Sequence, residues 1–376
     1  MAASLENREH GSWQFGEIDL LKTTTLPEIC YLFLDAGSYP QSEHDRATIL
    51  RHFSVPPFVM NDTCTKLNGY FGCRGTYDKD NKLQTYVTWF RCLVKLINGQ
   101  KVTYGLSIDY KWHEIGVFTR WDSPNCCRIL CVDAPEALRH DLKTSLQKMS
   151  PLDLKDPFCM HVPLIDEIVK LYDQSVWRIR DAVREIEKRR VEIGANFENM
   201  NELSRHGVHV TEVLEAMVGT FLKIQEQQRR VYVCLPAEIN KTYQEQAQEY
   251  VSFQLLMIQN LLLRSKALYE RLKTETTVAF NRITQRDSSV MKSISILTMV
   301  FLPATFMSTI FSTPFFQDDD GQWKVSDDFW IYWAATIPLT FVIFVIWALF
   351  PFALNAWKAF KWKELEEKRY EMQQPV

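Results

Sequence analysis

The chain has 376 residues, 24 % of them charged, with a formal charge of −3 and a mean hydropathy of −0.19. Apolar residues at 46 % and aromatics at 13 % exclude a disordered chain. The lack of a basic excess excludes a polybasic nucleic-acid binder, so no nucleic acid is expected among the partners.

In chain order, the first 20 residues carry Glu6, Glu9, Glu17 and Asp19 and no apolar h-region. No signal peptide is expected, and residues 1–292 are expected in the cytosol. Residues 28–34 read as a buried strand, and 83–97 are rich in β-branched and aromatic residues. Asn98-Gly99 signals a turn into a second strand over 101–110, together a hairpin. Strands at 115–121 and 127–132 and a helix at 135–149 follow, completing a mixed α/β domain over 1–156. Of the nine cysteines, Cys126, Cys127 and Cys131 have a spacing that invites a metal cluster. Cys127 and Cys131 lie on an apolar strand-like run, which makes them core residues, and no fixed metal site is expected.

Strand signals vanish after Pro157. Helical patterns cover 162–193, 201–234 and everything from 237 onward, broken at Gly194-Ala195-Asn196 and Leu235-Pro236. His206 and His209 lack a nearby Cys or carboxylate in the helical pattern and are expected at an exposed surface. Glu238, Glu245, Glu249, Glu270 and Glu275 read as a solvated face. The helical region and stalk thus span 157–292.

Two segments, 293–317 and 329–357, contain no charged residue. Each exceeds the roughly 20 residues that cross about 30 Å of hydrocarbon as a helix. Between them the 318–328 loop carries Asp318, Asp319, Asp320, Asp327 and Asp328 against one lysine. Arg282, Arg286 and Lys292 precede the first span, and a basic tail, 358–376, follows the second. Positive-inside bias puts both termini in the cytosol and the acidic loop outside, with lipid as a partner.

Nothing between 237 and Pro303 breaks the last helix, which predicts a rod of about 110 Å. Such a helix needs partners for one face, so an oligomeric bundle is expected. Along it Thr277, Asn281, Thr284, Ser288, Met291, Ser295, Thr298, Leu302, Thr305, Thr309 and Ser312 advance by alternating steps of four and three. That 3.5-residue period keeps one mostly hydroxylated face toward a supercoil axis. The stripe reads either as a pore lining, with Met291 and Leu302 as apolar constrictions, or as hydroxyls bonded to their own backbone at tight helix contacts.

The long helix feeding the first of two C-terminal spans, and Phe301-Leu302-Pro303-Ala304-Thr305-Phe306 within that span, resemble the CorA-type divalent-cation channels. The chain looks closest to divergent CorA-like proteins of filamentous fungi. The resemblance implies an α+β membrane protein with an N-terminal cytosolic α/β domain, a long helical stalk and two C-terminal transmembrane helices. It implies a homopentamer around one pore that passes Mg²⁺ or another divalent cation. Pore-lining positions carry over to Ser288, Met291, Ser295 or Ile294, Thr298, Leu302, Thr305, Thr309 or Ser308. The external mouth follows from Ser312, Thr313, Pro314 and the loop aspartates, which in five chains sum to about −20 formal charges and focus cations. The family's Tyr-Gly-Met-Asn-Phe signature is here Phe311-Ser312-Thr313-Pro314-Phe315. Pro314 supplies neither the amide oxygen of Asn nor a backbone N–H.

No Walker loop, His-Glu-x-x-His or Gly-x-Ser-x-Gly motif occurs, so neither an enzyme nor a bound cofactor is expected, the divalent cation being cargo. Two functions fit: a homo-oligomeric cation channel, or a non-conducting, membrane-anchored sensor or scaffold that keeps the fold.

Overall fold

The chain's computed structural model describes residues 2–9, 12–35, 37, 42–97, 109–148, 152–188, 197–235, 239–312, 316–319, 322–325, 327, 329–347 and 349. They fall into two units, Met1–Ala279 and Phe280–Val376.

A seven-stranded sheet organises the first unit. Its strands are β1 (Ala2–Glu9), β2 (Ser12–Asp19), β3 (Ile29–Leu34), β4 (Gly69–Tyr77), β5 (Leu83–Ile97), β6 (Tyr110–Asp122) and β7 (Cys126–Val132). The order is β2-β1-β3-β7-β6-β5-β4, with β3 and β7 parallel and every other neighbour antiparallel. The helices are α1 (Glu43–Phe53), the single turn α2 (Asp62–Thr65), α3 (Glu136–Lys148), α4 (His161–Lys188), α5 (Phe197–Cys234) and α6 (Lys241–Phe311).

Two cores explain why β3 carries an unbroken apolar run and β7 one interrupted only by Arg128. Tyr31, Phe33, Cys127, Ile129 and Cys131 enter the larger core with Leu138 and Leu142 of α3, Ile165 of α4 and Leu214 of α5. The alternate residues Cys30, Leu32, Leu34 and Leu130 enter a smaller one with Ile49, Leu50 and Phe53 of α1. A strand apolar on both faces loses the period-2 signal but keeps its run. Cys127 and Cys131 are fully buried, as their apolar setting implied.

The hairpin expected after β5 is corrected. Ile97 pairs with Tyr110 and Thr85 with Asp122, so the partner strand is 110–122. Asn98-Gly99 and 101–108 lie outside the described residues. Polar side chains hid the first half of β6: Glu114 pairs with Arg91 at 2.8 Å, and His113 lies 3.6 Å from Asp133. β1 and β2 were not anticipated, and β2 alternates exposed and half-buried positions. β4 was masked by Gly69, Gly72 and Gly75; at Gly72 a Cβ would lie 2.4 Å from the indole of Trp89, so only glycine fits.

α6 runs unbroken for 71 residues. The breaks at 194–196 and at Pro236 lie outside the described residues, as does Glu238. Over its first half α6 buries Val251, Leu255, Ile258, Leu261, Leu268 and Leu272, with Gln254 donating to Asp166 at 2.8 Å. Arg271 grips both carboxylate oxygens of Glu187 at 2.8 and 2.6 Å, and Lys266 meets Glu215 at 2.7 Å. Part of the demand for partners is therefore met inside the chain. Glu245, Glu249 and Glu270 are solvated, whereas Glu275 is buried, which corrects its place on the open face.

In the second unit α6 ends at Phe311, β8 (Phe316–Asp319) pairs with β9 (Gln322–Val325), and α7 spans Phe329–Trp347. The first apolar segment is thus not helical to 317: residues 316 and 317 belong to β8. Proline disfavours helix at the residue before it, and Pro314 follows closely. The expected second span beyond Trp347 lies outside the described residues except for Leu349, as do residues 358–376.

A buried histidine ties α4 to the sheet: His161 Nε2 lies 2.9 Å from the Thr88 hydroxyl and 3.3 Å from that of Thr119. Burial pulls its imidazole from the ordinary 6.5 down to about 4. The folded chain thus binds this proton less readily than the unfolded one, so stability is lost as pH falls from 6.5 toward 4. Thermal melting in detergent should show the Tm advantage of wild type over His161→Asn shrinking across that window; a constant gap contradicts this assignment.

Candidate functional site

The hydroxylated stripe is open. Ser288, Met291, Ser295, Thr298, Leu302, Thr305, Thr309 and Ser312 are all exposed. Pro303 and Met307, about 100° and 140° round the helix from Leu302 at 3.6 residues per turn, are buried. The cover on that side comes from α7. Tyr332 accepts a hydrogen bond from the Ser308 hydroxyl at 3.1 Å and donates to the Ala304 carbonyl at 3.3 Å. Thr336, one turn further, is also buried.

Backbone bonding by the stripe hydroxyls is present. Ser295, Thr298, Thr305 and Thr309 donate to the carbonyls of Met291, Ile294, Phe301 and Thr305, at 2.8 to 2.9 Å. Ser312 donates to Thr309 at 3.2 Å. Such bonds consume the proton and leave the oxygen lone pairs free. The exposed face therefore offers acceptors, the polarity that suits a cation or the water around it.

Asp318 and Asp319 stand on β8, opposite Trp323 and Gln322, and Asp327 is exposed in the turn before α7. Thr313, Pro314, Asp320 and Asp328 lie outside the described residues. Among the described residues no group of three or more His, Cys, Asp or Glu is placed to hold a metal ion.

The histidine pair on α5 is corrected. His206 is fully buried, its ring 4.9 Å from that of Tyr110, and His209 is half-buried, with Nδ1 3.1 Å from Lys95 Nζ. Lys95 is itself buried, its ammonium 4.0 Å from the Tyr110 ring centroid and 4.9 Å from that of Trp112. Burial lowers His206 to about 4 and Lys95 to about 8. The helical pattern gave no hint of the aromatic strand that covers these residues. The arrangement clamps α5 to the sheet through a caged cation.

A family model described as "CorA-like Mg2+ transporter protein" matches residues 132–351. The chain belongs to this family. The full-length CmaX protein is 14 % identical with a TM-score of 0.59, covering 92 % of this chain and 96 % of that one. The complete CorA magnesium transporter of Methanocaldococcus jannaschii is 11 % identical with a TM-score of 0.55 and the same coverage of each chain. At these identities the likeness is one of fold, and it agrees with the α+β architecture expected from the sequence. Notoamide biosynthesis cluster protein M' of Aspergillus versicolor is 27 % identical over 269 residues, 62 % of this chain and 58 % of that protein. The chain thus matches little more than half the length of that curated relative. Family membership and two helices long and apolar enough to span a bilayer make this CorA-like chain an integral membrane protein.

Tyr332→Phe removes two hydrogen bonds that join α7 to α6, those to Ser308 and Ala304, each worth about 1 kcal/mol net. The melting temperature in detergent should fall by roughly 1–3 °C. An unchanged Tm contradicts this role for Tyr332.

Proposed function

We propose that the chain is a subunit of a homo-oligomeric, most simply pentameric, channel that passes divalent cations passively, Mg²⁺ favoured. Its pore lining is Ser288, Met291, Ser295, Thr298, Leu302, Thr305, Thr309 and Ser312. One observation carries this reading: along a helix whose other open positions, such as Ile294, Leu297 and Phe301, are apolar, the 3.5-residue stripe is the mostly hydroxylated exposed face, with α7 on another side. A face that repeats every 3.5 residues stays turned toward a common axis in a left-handed bundle. Mg²⁺ gives up its water reluctantly, so rings of hydroxyl oxygens would accept hydrogen bonds from the hydrated ion. Met291 and Leu302, both apolar, are the constrictions. Asp318, Asp319, Asp320, Asp327 and Asp328 raise cation concentration at the outer mouth, beside Ser312, Thr313 and Pro314. Both termini lie in the cytosol, and an inside-negative potential favours entry by about 2.3 kcal/mol per elementary charge per 100 mV.

One feature favours the second reading, a non-conducting sensor or scaffold: Ser312-Thr313-Pro314 in place of Gly-Met-Asn. Purified protein in liposomes loaded with a Mg²⁺-sensitive dye separates the two. Wild type should admit Mg²⁺, Thr305→Leu should slow influx about tenfold, and the off-stripe Phe301→Leu should not. A barrier rise of only about 1.4 kcal/mol produces that tenfold change. Absence of influx for every divalent ion tried rejects the channel, and crosslinking that yields only monomers rejects the central pore.

A further inference from the structure

Asp156 sits where three segments of the first unit meet. It is 1 % exposed, and its carboxylate accepts three hydrogen bonds. Oδ1 takes the Phe158 N–H at 2.9 Å, and Oδ2 takes the hydroxyls of Tyr232 on α5 and Tyr243 on α6, at 2.8 and 3.2 Å. Gln228 Nε2 donates in turn to the Tyr232 oxygen at 3.0 Å. The start of α6 leans on this cluster. Asn240 caps the helix, its Oδ1 accepting the Thr242 N–H at 2.9 Å, and from Asn240 to Tyr250 no residue is buried. Tyr243, half-buried in the first turn, ties that turn to a buried carboxylate.

The two charge states of Asp156 suit this place unequally. The titratable groups about it are Asp153 and Cys159 of its own segment, Tyr232 of α5 and Tyr243 of α6, with Lys155 adjoining it in the chain. Burial strips water from the carboxylate, and Asp153 adds a second negative charge nearby. These effects outweigh the three hydrogen bonds and hold the carboxyl at about 6. A proton on Oδ2, by contrast, leaves the network whole. Tyr232 and the Phe158 N–H still donate, the new O–H donates to the Tyr243 oxygen, and the Tyr243 hydrogen turns outward. Lifting the first turn of α6 takes Tyr243 off the carboxyl and admits water, which returns it toward the ordinary 3.8. The closed turn therefore binds the proton more tightly than the open one, so acid favours closure and ionisation favours opening.

We propose that Asp156 is a proton-operated latch on α6: protonated, it holds the first turn of the helix to α5 and to the segment before α4, and ionised, it lets that turn open. The latch stands whether or not the chain conducts.

Hydrogen–deuterium exchange of the full-length protein in detergent tests this, with rates over residues 244–250 divided by their intrinsic values at each pH. Between pH 7 and pH 5 opening of this segment should become roughly tenfold rarer, the change that follows from a carboxyl at about 6 when closed and 3.8 when open. Asp156→Asn is neutral at every pH, keeps an acceptor for the Phe158 N–H and places donors at the tyrosine oxygens. It should abolish the pH dependence, which separates Asp156 from other buried titrating groups such as His161. Tyr243→Phe leaves the carboxyl in place but removes the α6 side of the latch, and exchange over 244–250 should quicken at pH 5. Wild-type protection that is flat or falls on acidification, a tenfold change kept by Asp156→Asn, or wild-type exchange in Tyr243→Phe overturns the proposal.

Discussion

In hydrocarbon every polar group must find its partner within the protein, and the C-terminal part of this chain is organised by that constraint. The first apolar helix carries hydroxyls that bond back to their own carbonyls, and Tyr332 closes the α7 side by bonding both Ser308 and Ala304. Among the open positions, which include the apolar Ile294, Leu297 and Phe301, the stripe presents oxygen lone pairs at a 3.5-residue spacing. Backbone bonding and pore lining, which look like rivals in the sequence, are compatible. The proton goes inward and the acceptor stays outward.

The same accounting governs the first unit, with a different solvent. Several of its buried polar groups are drawn into specific pairs: His161 Nε2 with Thr88, and Asp156 receiving the hydroxyls of Tyr232 and Tyr243 at 2.8 and 3.2 Å. Asp156 joins the segment before α4 to the end of α5 and the start of α6, and burial pushes its carboxyl up to about 6.

Long, chemically uniform signals were legible in the sequence. The two charge-free segments, the unbroken last helix and the bounds of β5 at Leu83 and Ile97 follow from run length and residue type alone. Signals carried by a partner were not. β6 was split because Lys111, His113 and Glu114 look like loop residues until Arg91 and Asp133 are placed beside them. β4 was hidden by glycines whose reason is the indole of Trp89, on a different strand. His206 looked solvent-facing because its cover, Tyr110, is 96 residues away in sequence but 4.9 Å in space. Of the candidate pore, the period of the stripe was readable in advance. Which side α7 covers depended on Tyr332 and could not be read from helix spacing.

In the proposed channel the Thr298, Leu302, Thr305 and Thr309 face meets water at a shared axis. Single cysteines placed along 297–309 in liposome-embedded protein, probed with a membrane-impermeant thiol reagent, test it most directly. Rapid labelling is expected at those four positions, with protection at Leu297, Phe301 and Met307. Uniform protection, or labelling that follows Leu297 and Phe301 instead, would contradict it.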